Sequence, residues 1–328
     1  MSKISEDIIL IDGLEYCNWN RDLFKNAHKA GLTAIHATLV YWENTEESFA
    51  KIEYWNDLFK EHQDIIMHAK KSEDIIKAKK NNKVAIIYGF QNSAPIANDI
   101  FLVEKFFNKG LRFMQLTYNN QTPLGGGCFE PKDSGVSRFG KSVIEEMNRL
   151  GMIVDLSHAG KQTCIDAIEF SNKPVAISHA NPNFFHKSLR NIDNDVLKQL
   201  VKKDGFIGLS LYPYHLKNLG NCTVQDFCLM IRELVNLIGE DNIGIGSDLC
   251  LNWPDDVVMW MRNGKWTKKI DYGESIEKNP KWPELPRWYN QPSDIKGLFL
   301  SMCENDISEK VAIKIIGENW LKFMKNHF

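Results

Sequence analysis

The sequence lacks a long apolar run, an excess of basic residues and any paired cysteine motif. Its longest apolar stretches, such as residues 84–88 and 206–212, fall far short of the roughly 20 residues that a membrane-spanning helix needs. The 40 Lys and Arg residues against 42 Asp and Glu residues give a formal charge of −2, so no broad basic field is available for nucleic acid. We therefore expect neither a membrane nor a nucleic acid as partner.

The seven cysteines also contain no CxxC pair or tight cluster, and no cationic start followed by a long apolar stretch opens the chain. Reduced thiols in a cytoplasmic protein are the simplest interpretation. Apolar residues make up 43% of the 328 residues and charged residues 25%, which is typical of a globular protein rather than a disordered chain.

Short apolar runs alternate along the chain with amphipathic stretches of helical period. Eight runs predict strands, at residues 8–12, 32–40, 84–89, 111–118, 152–158, 174–179, 206–211 and 242–248. Helices are predicted between them, for example at 21–30, 100–109, 141–150, 161–169, 194–202 and 224–238. Eight strands that alternate with helices predict a (β/α)8 TIM barrel, formed by residues 1–328 as one domain.

A doubly wound open sheet is the competing architecture. It would usually show fewer strands and a nucleotide-binding glycine turn near the N-terminus. The only glycine cluster, Gly125–Gly127, follows the fourth predicted strand and opens no helix. The pattern favours the barrel.

A loop-like insertion rich in tryptophan is predicted at about residues 253–288, after the eighth strand. Its five tryptophans either line a substrate entrance or pack the insertion down, and the sequence leaves both open; they are Trp253, Trp260, Trp266, Trp282 and Trp288.

Function in such a barrel sits at the C-terminal ends of the strands. The fifth and sixth predicted strands end in Ser-His pairs, which place His158 and His179 there, and the eighth ends at Asp248. Neutral imidazoles with a carboxylate suit Zn²⁺, which lowers the pKa of a bound water. From the spacing alone, a metal site and two packed histidines both stay open.

These segments resemble the membrane (renal) dipeptidase family of the amidohydrolase superfamily. The similarity is carried by Leu-Ser-His at 156–158, Pro-Val-x-x-Ser-His at 174–179, Arg190-Asn191 and Gly246-Ser247-Asp248. It runs along nearly the whole chain, from Asp12-Gly13 to the segment at 317–320. The resemblance implies a metal-dependent (β/α)8 barrel with two zinc ions that hydrolyses dipeptides.

In that family, a His-x-Asp pair on strand one and a bridging glutamate after strand three hold the first metal. The glutamate and two histidines on strands five and six hold the second. Carried over by position, His158 and His179 match these two histidines. Arg190 matches the arginine that grips the substrate carboxylate, a task suited to a guanidinium fork. Asp248 matches the aspartate that handles the proton of the attacking water.

The first-metal ligands of the family are replaced in this chain. Where the family reads Asp-Gly-His-x-Asp, Leu14 and Tyr16 stand in place of the histidine and the aspartate. Gln91 falls on the bridging glutamate, and Tyr118 falls on the histidine that assists the oxyanion. Tyrosine can still donate a hydrogen bond there. We therefore expect no dinuclear centre.

What remains is at most one zinc ion on His158 and His179, with Asp248, Gln91 or water completing its shell. His215 follows the seventh strand, at the same face of the barrel, where we expect it to contact substrate together with Arg190.

Three hypotheses follow. The first is a dipeptidase-like hydrolase of a small amide, such as a dipeptide or an N-substituted amino acid, with Asp248 as base and Tyr118 steadying the oxyanion. The second is a divergent family member that binds a small carboxylate ligand without turnover. The third is a metal-free barrel lyase or isomerase, which the fold permits. The resemblance also implies a homodimer.

Overall fold

The computed structural model describes residues 7–265, 267–268 and 281–328. Its sheet is entirely parallel and contains nine strands: β1 Ile11–Glu15, β2 Ala34–Val40, β3 Ile66–His68, β4 Val84–Phe90, β5 Leu111–Gln115, β6 Ile153–Asp155, β7 Ala176–Ala180, β8 Phe206–Leu209 and β9 Ile243–Ile245. Neighbours run β2-β1-β9-β8-β7-β6-β5-β4, and pairing of β2 with β4 closes the ring. Eight strands thus form a barrel, and the predicted (β/α)8 architecture is confirmed.

The ninth strand, β3, lies outside the ring and was not predicted. It pairs only with the start of β4, from Ile66 opposite Val84 to His68 opposite Ile86. The pairing of β4 with β5 begins later, at Tyr88 opposite Leu111. The first residues of β4, which do not pair with β5, are the ones that pair with β3.

Helices cover the outside of the barrel: α1 Arg21–Ala30, α2 Thr45–Glu61, α3 Ser72–Lys80, α4 Phe101–Lys109, α5 Arg138–Leu150, α6 Lys161–Phe170, α7 Asn194–Lys202, α8 Val224–Ile238, α9 Asp256–Asn263, α10 Ile295–Glu304, α11 Glu309–Ile313 and α12 Asn319–Lys325. The ends of α1 follow ordinary capping chemistry. The Asn20 side chain accepts from two backbone N–H groups, and Gly31, with φ 74°, ends the helix in the left-handed region. None of the helices in these ranges is long and apolar enough to cross a bilayer.

Part of the predicted insertion is helical, because α9, Asp256–Asn263, forms within it. Val258 of this helix is buried, and Trp282 Nε1 donates to the carbonyl of Pro254. Trp288 Nε1 donates to the carbonyl of Cys222 at 2.8 Å. Of the five tryptophans singled out in the sequence, Trp266 lies outside the described residues.

A β-bulge in β1 shapes the floor of the barrel mouth. Asp12 pairs with Ile35 and Glu15 pairs with Ala37. An advance of three residues along β1 therefore matches an advance of two residues along β2, which is the extra residue of a β-bulge. Gly13 lies at this bulge, where a Cβ would meet the indole of Trp320 at 2.3 Å. The strand itself, β1, spans Ile11–Glu15, which is three residues later than the predicted 8–12.

Two buried carboxyl groups, those of Asp12 and Glu15, lie on either side of the bulge. Asp12 Oδ1 accepts from the backbone N–H groups of Ser247 and Leu14. Burial nevertheless raises the pKa of Asp12 from 3.8 to about 6, and burial together with Asp12 raises the pKa of Glu15.

Candidate active site

A small cavity opens where the barrel strands end. Its volume is about 30 Å³, room for a few water molecules, and its walls are Gln91, Tyr118, Asn119, His158, Tyr212, His215, Asp248 and Met261. Five residues singled out in the sequence meet on these walls: Gln91, Tyr118, His158, His215 and Asp248. The other two, His179 and Arg190, lie behind His158, in contact with it or with each other.

The two histidines face one another through their Nε2 atoms. His158 Nε2 lies 3.0 Å from His179 Nε2, and both side chains are buried. Burial, reinforced by the nearby Arg190 charge, lowers the pKa of each imidazole well below 6.5. Both rings are therefore neutral at physiological pH, which is the form that ligates metals.

Arg190 is a buried cation with incomplete partners. Its side chain is 1% exposed, its Nη2 donates to the carbonyl of His179 at 3.1 Å, and its Nε has no acceptor among the described residues. No carboxylate in the described ranges pairs with it. A buried guanidinium without a counter-ion is costly, so this side chain suits an anionic ligand.

Three wall residues adopt the left-handed backbone conformation that side chains other than glycine rarely take. The φ angles are 62° at Asn119, 66° at His158 and 57° at Asp248. Each residue lies a few positions after the end of a barrel strand, and all three line the cavity. Such strained conformations persist where the surrounding structure fixes them, and they cluster at functional sites.

Aromatic side chains surround the position that corresponds to the family's first metal. The Tyr16 ring stacks on Trp253 at 4.9 Å and meets Tyr41 edge to face at 4.5 Å. Burial raises the pKa of Tyr16, so its phenol stays protonated. The Gln91 amide donates to Thr38 Oγ1 and to the Tyr41 hydroxyl, which leaves Gln91 Oε1 buried without a donor among the described residues.

Three wall residues had not been singled out as site residues from the sequence: Asn119, Tyr212 and Met261. Asn119 and Tyr212 follow β5 and β8, so the rule that strand ends carry function could have found them. Met261 belongs to α9 and reaches the cavity only through the packing of the insertion, for which the sequence holds no signal.

The sequence model of the membrane dipeptidase family, peptidase family M19, matches residues 18–254 of this chain. The chain belongs to the membrane dipeptidase family. Among curated relatives, an uncharacterized dipeptidase of Schizosaccharomyces pombe is 31% identical over 187 residues, covering 54% of this chain and 44% of the relative. A dipeptidase of Claviceps purpurea is 28% identical over 212 residues, covering 64% and 50%. The chain thus spans about half the length of these relatives.

Solved structures match over almost the whole chain. An amidohydrolase from Pseudomonas aeruginosa has a TM-score of 0.93 at 33% identity, covering 98% of this chain and 97% of its own. A Rhodobacter sphaeroides metallopeptidase, solved with a phosphinate mimic of the dipeptide L-Ala-D-Ala, has a TM-score of 0.79 at 15% identity, covering 98% and 99%. The second likeness shows the fold alone.

The metal centre implied by the family fits this chain only in part. Leu14 has no donor atom, Tyr16 is a protonated phenol within an aromatic stack, and the Gln91 amide is neutral, so the first of two metals lacks its ligands. The second position keeps two neutral imidazoles. Within the described ranges, no three His, Cys, Asp or Glu side chains form a ligand group, so Asp248 does not complete one with the histidines. The donor set fits one ion at most.

Proposed function

We propose that this chain is a dipeptidase-like metallohydrolase that cleaves a small amide carrying a carboxylate, such as a dipeptide or an N-substituted amino acid. The observation that carries the proposal is the convergence of two neutral imidazoles beside Arg190, a buried guanidinium without a carboxylate partner in the described structure. Family membership supports hydrolysis as the reaction class.

His158 and His179 would hold one Zn²⁺, with Gln91 Oε1, which has no donor among the described residues, or water completing its shell. A bound zinc ion supplies Lewis acidity and an acidified water.

The remaining roles belong to side chains on the cavity walls and to Arg190, which lies behind His158. Asp248 takes the proton of the attacking water and returns it to the leaving amine as the amide C–N bond breaks. The Tyr118 hydroxyl donates a hydrogen bond to the oxyanion, and its ring is held against His158 at 4.2 Å between centroids. Arg190 binds the substrate carboxylate, and His215, on the cavity wall, contacts the substrate.

The test is hydrolysis of a panel of dipeptides and N-acyl amino acids by metal-free and zinc-loaded protein. Turnover that requires zinc and falls in the Asp248→Asn variant supports the proposal. Zinc-independent turnover favours a metal-free barrel enzyme instead.

A second candidate is a family member that binds a small carboxylate without turnover. The cavity of about 30 Å³, which Tyr118 and Tyr212 help to line, favours this alternative, because a dipeptide requires more space than the cavity offers in this conformation. Carboxylate binding that depends on Arg190, with no hydrolysis of any compound in the panel, would establish it.

The homodimer and the cytoplasmic location stay predictions. The homodimer is implied by resemblance to the family, and the location rests on the cysteines, all seven of which are free thiols in the structure.

A further inference from the structure

The imidazole of His179 is hydrogen-bonded through Nδ1 to a serine, which is in turn hydrogen-bonded to an aspartate. Its Nδ1 lies 2.8 Å from Ser178 Oγ, and Ser178 Oγ donates to Asp155 Oδ2 at 2.5 Å. A serine hydroxyl has one proton, and the carboxylate takes it. The hydrogen bond between Ser178 and the ring must then use a proton on His179 Nδ1.

Asp155 is itself fixed in place. Its Oδ1 accepts from the backbone N–H groups of Ser157 and Ser178 at 3.0 Å each, and its Oδ2 also accepts from Gln115 Nε2 at 3.2 Å. With four donors on one buried carboxylate, the acceptor for the Ser178 hydroxyl cannot rotate away.

The imidazole of His158 is held by an asparagine. Its Nδ1 lies 2.6 Å from Asn119 Oδ1, which also accepts from Cys128 Sγ at 3.6 Å. Because the amide oxygen only accepts, the proton of this short bond belongs to His158 Nδ1. Asn119 is buried, and its left-handed backbone directs the amide back toward the ring.

We infer that Asn119 and the Ser178–Asp155 pair are positioning residues that hold the Nε2 atoms of His158 and His179 as two lone pairs aimed at one shared point. The inference rests on the proposed function in one respect, that this point is where the ion binds. Two lone pairs 3.0 Å apart repel each other, and a cation between them removes the repulsion.

The first experiment observes the tautomers directly in the full-length, metal-free protein. Long-range ¹H–¹⁵N correlation of protein labelled in its histidine rings should show both rings protonated at Nδ1, with assignments from His158→Asn and His179→Asn. Ser178→Ala should release the His179 ring to the Nε2–H tautomer. Asn119→Gly, which tolerates the left-handed backbone but lacks an acceptor, should do the same for His158.

Two matched variants serve as controls. Ser157→Ala makes the same change at a neighbouring buried serine whose Oγ accepts from the His179 backbone N–H and lies 3.2 Å from Ser178 Oγ, but is not hydrogen-bonded to either ring in the described structure. Asn119→Asp keeps an acceptor at the same place and tolerates the backbone conformation. Both should keep both rings protonated at Nδ1.

The second experiment measures Zn²⁺ affinity of the same proteins by competition with a chromogenic chelator. Loss of a group that orients a histidine ligand typically costs about 10- to 100-fold in metal affinity, which we expect for Ser178→Ala and Asn119→Gly but not for the two controls. An Nε2–H tautomer in the wild-type protein, or unchanged tautomers in both test variants, would overturn the inference. A wild-type protein that binds no zinc would refute the proposed function, while the tautomers would still decide the inference.

Discussion

Replacing Arg190 by methionine should separate ligand binding from stability. Arg190 is 1% exposed, and among the described residues its guanidinium has one acceptor, the His179 carbonyl. If the side chain serves a ligand carboxylate, Arg190→Met should abolish carboxylate recognition and leave the fold intact. If it serves the fold, the variant should unfold more easily.

The magnitudes follow from the contacts. Loss of one hydrogen bond from a charged donor costs about 1.5–3 kcal/mol of folding free energy. Burying an unneutralised charge costs several kcal/mol of folding free energy, and a variant without the charge no longer has this cost. Apolar replacements of buried ions are therefore often neutral or stabilising by about 1–4 kcal/mol. We therefore expect the free energy of unfolding to stay unchanged or to rise. Ligand binding should lose about 2–5 kcal/mol, the usual effect of removing one partner of a buried charge pair.

The assay pairs two ligands of nearly the same size that differ in charge, N-acetylalanine and its primary amide. Calorimetry should show that the wild-type protein prefers the carboxylate and that Arg190→Met does not. Arg190→Lys should retain part of the preference as a point charge. Equal binding of both ligands by the wild-type protein, or a loss of more than about 3 kcal/mol of stability in urea unfolding of Arg190→Met, would refute the reasoning.

Three further predictions concern the barrel mouth. Tyr16→Ala should cost about 3–5 kcal/mol in urea unfolding because it empties an aromatic stack, whereas Tyr16→Phe, which keeps the ring, should stay within about 1 kcal/mol of wild type. Because the pKa of Asp12 rises from 3.8 to about 6 on folding, its proton stabilises the fold below pH 3.8, and this gain is lost as pH rises through 6. The stability of Asp12→Asn relative to wild type should therefore increase by about 2 kcal/mol between pH 4 and 7, and a flat difference curve would contradict this. Gly13→Ala should destabilise by about 1–3 kcal/mol because its Cβ would meet the Trp320 ring, whereas Gly297→Ala, at a helix position with open space, should be neutral or stabilising.

The barrel was predictable because its strands are buried on both faces and therefore stand out as continuous apolar runs. Two errors have physical causes. The three residues of β3, Ile66–His68, are too few for periodicity to show. Strand β1 contains Asp12 and Glu15, and buried carboxyl groups at a bulge resemble a loop in sequence, so its start was placed three residues early.

The site was predictable as far as the strand ends determine it. His158 and Asp248 follow barrel strands, and the fold brings them to one cavity. Sequence could not show that Tyr16 stacks on Trp253, because that contact depends on where the insertion packs. The same holds for Met261, which α9 carries over the cavity.

The content of bound zinc per chain tests the central claim most directly. Protein purified without chelator or histidine tag should be compared with the His158→Ala/His179→Ala double variant. We predict about one equivalent of Zn²⁺ in the wild-type protein and none in the double variant, since the donor set fits one ion at most. Two equivalents would contradict our account of Leu14, Tyr16 and Gln91, and no zinc even after incubation with excess would contradict the proposed metallohydrolase.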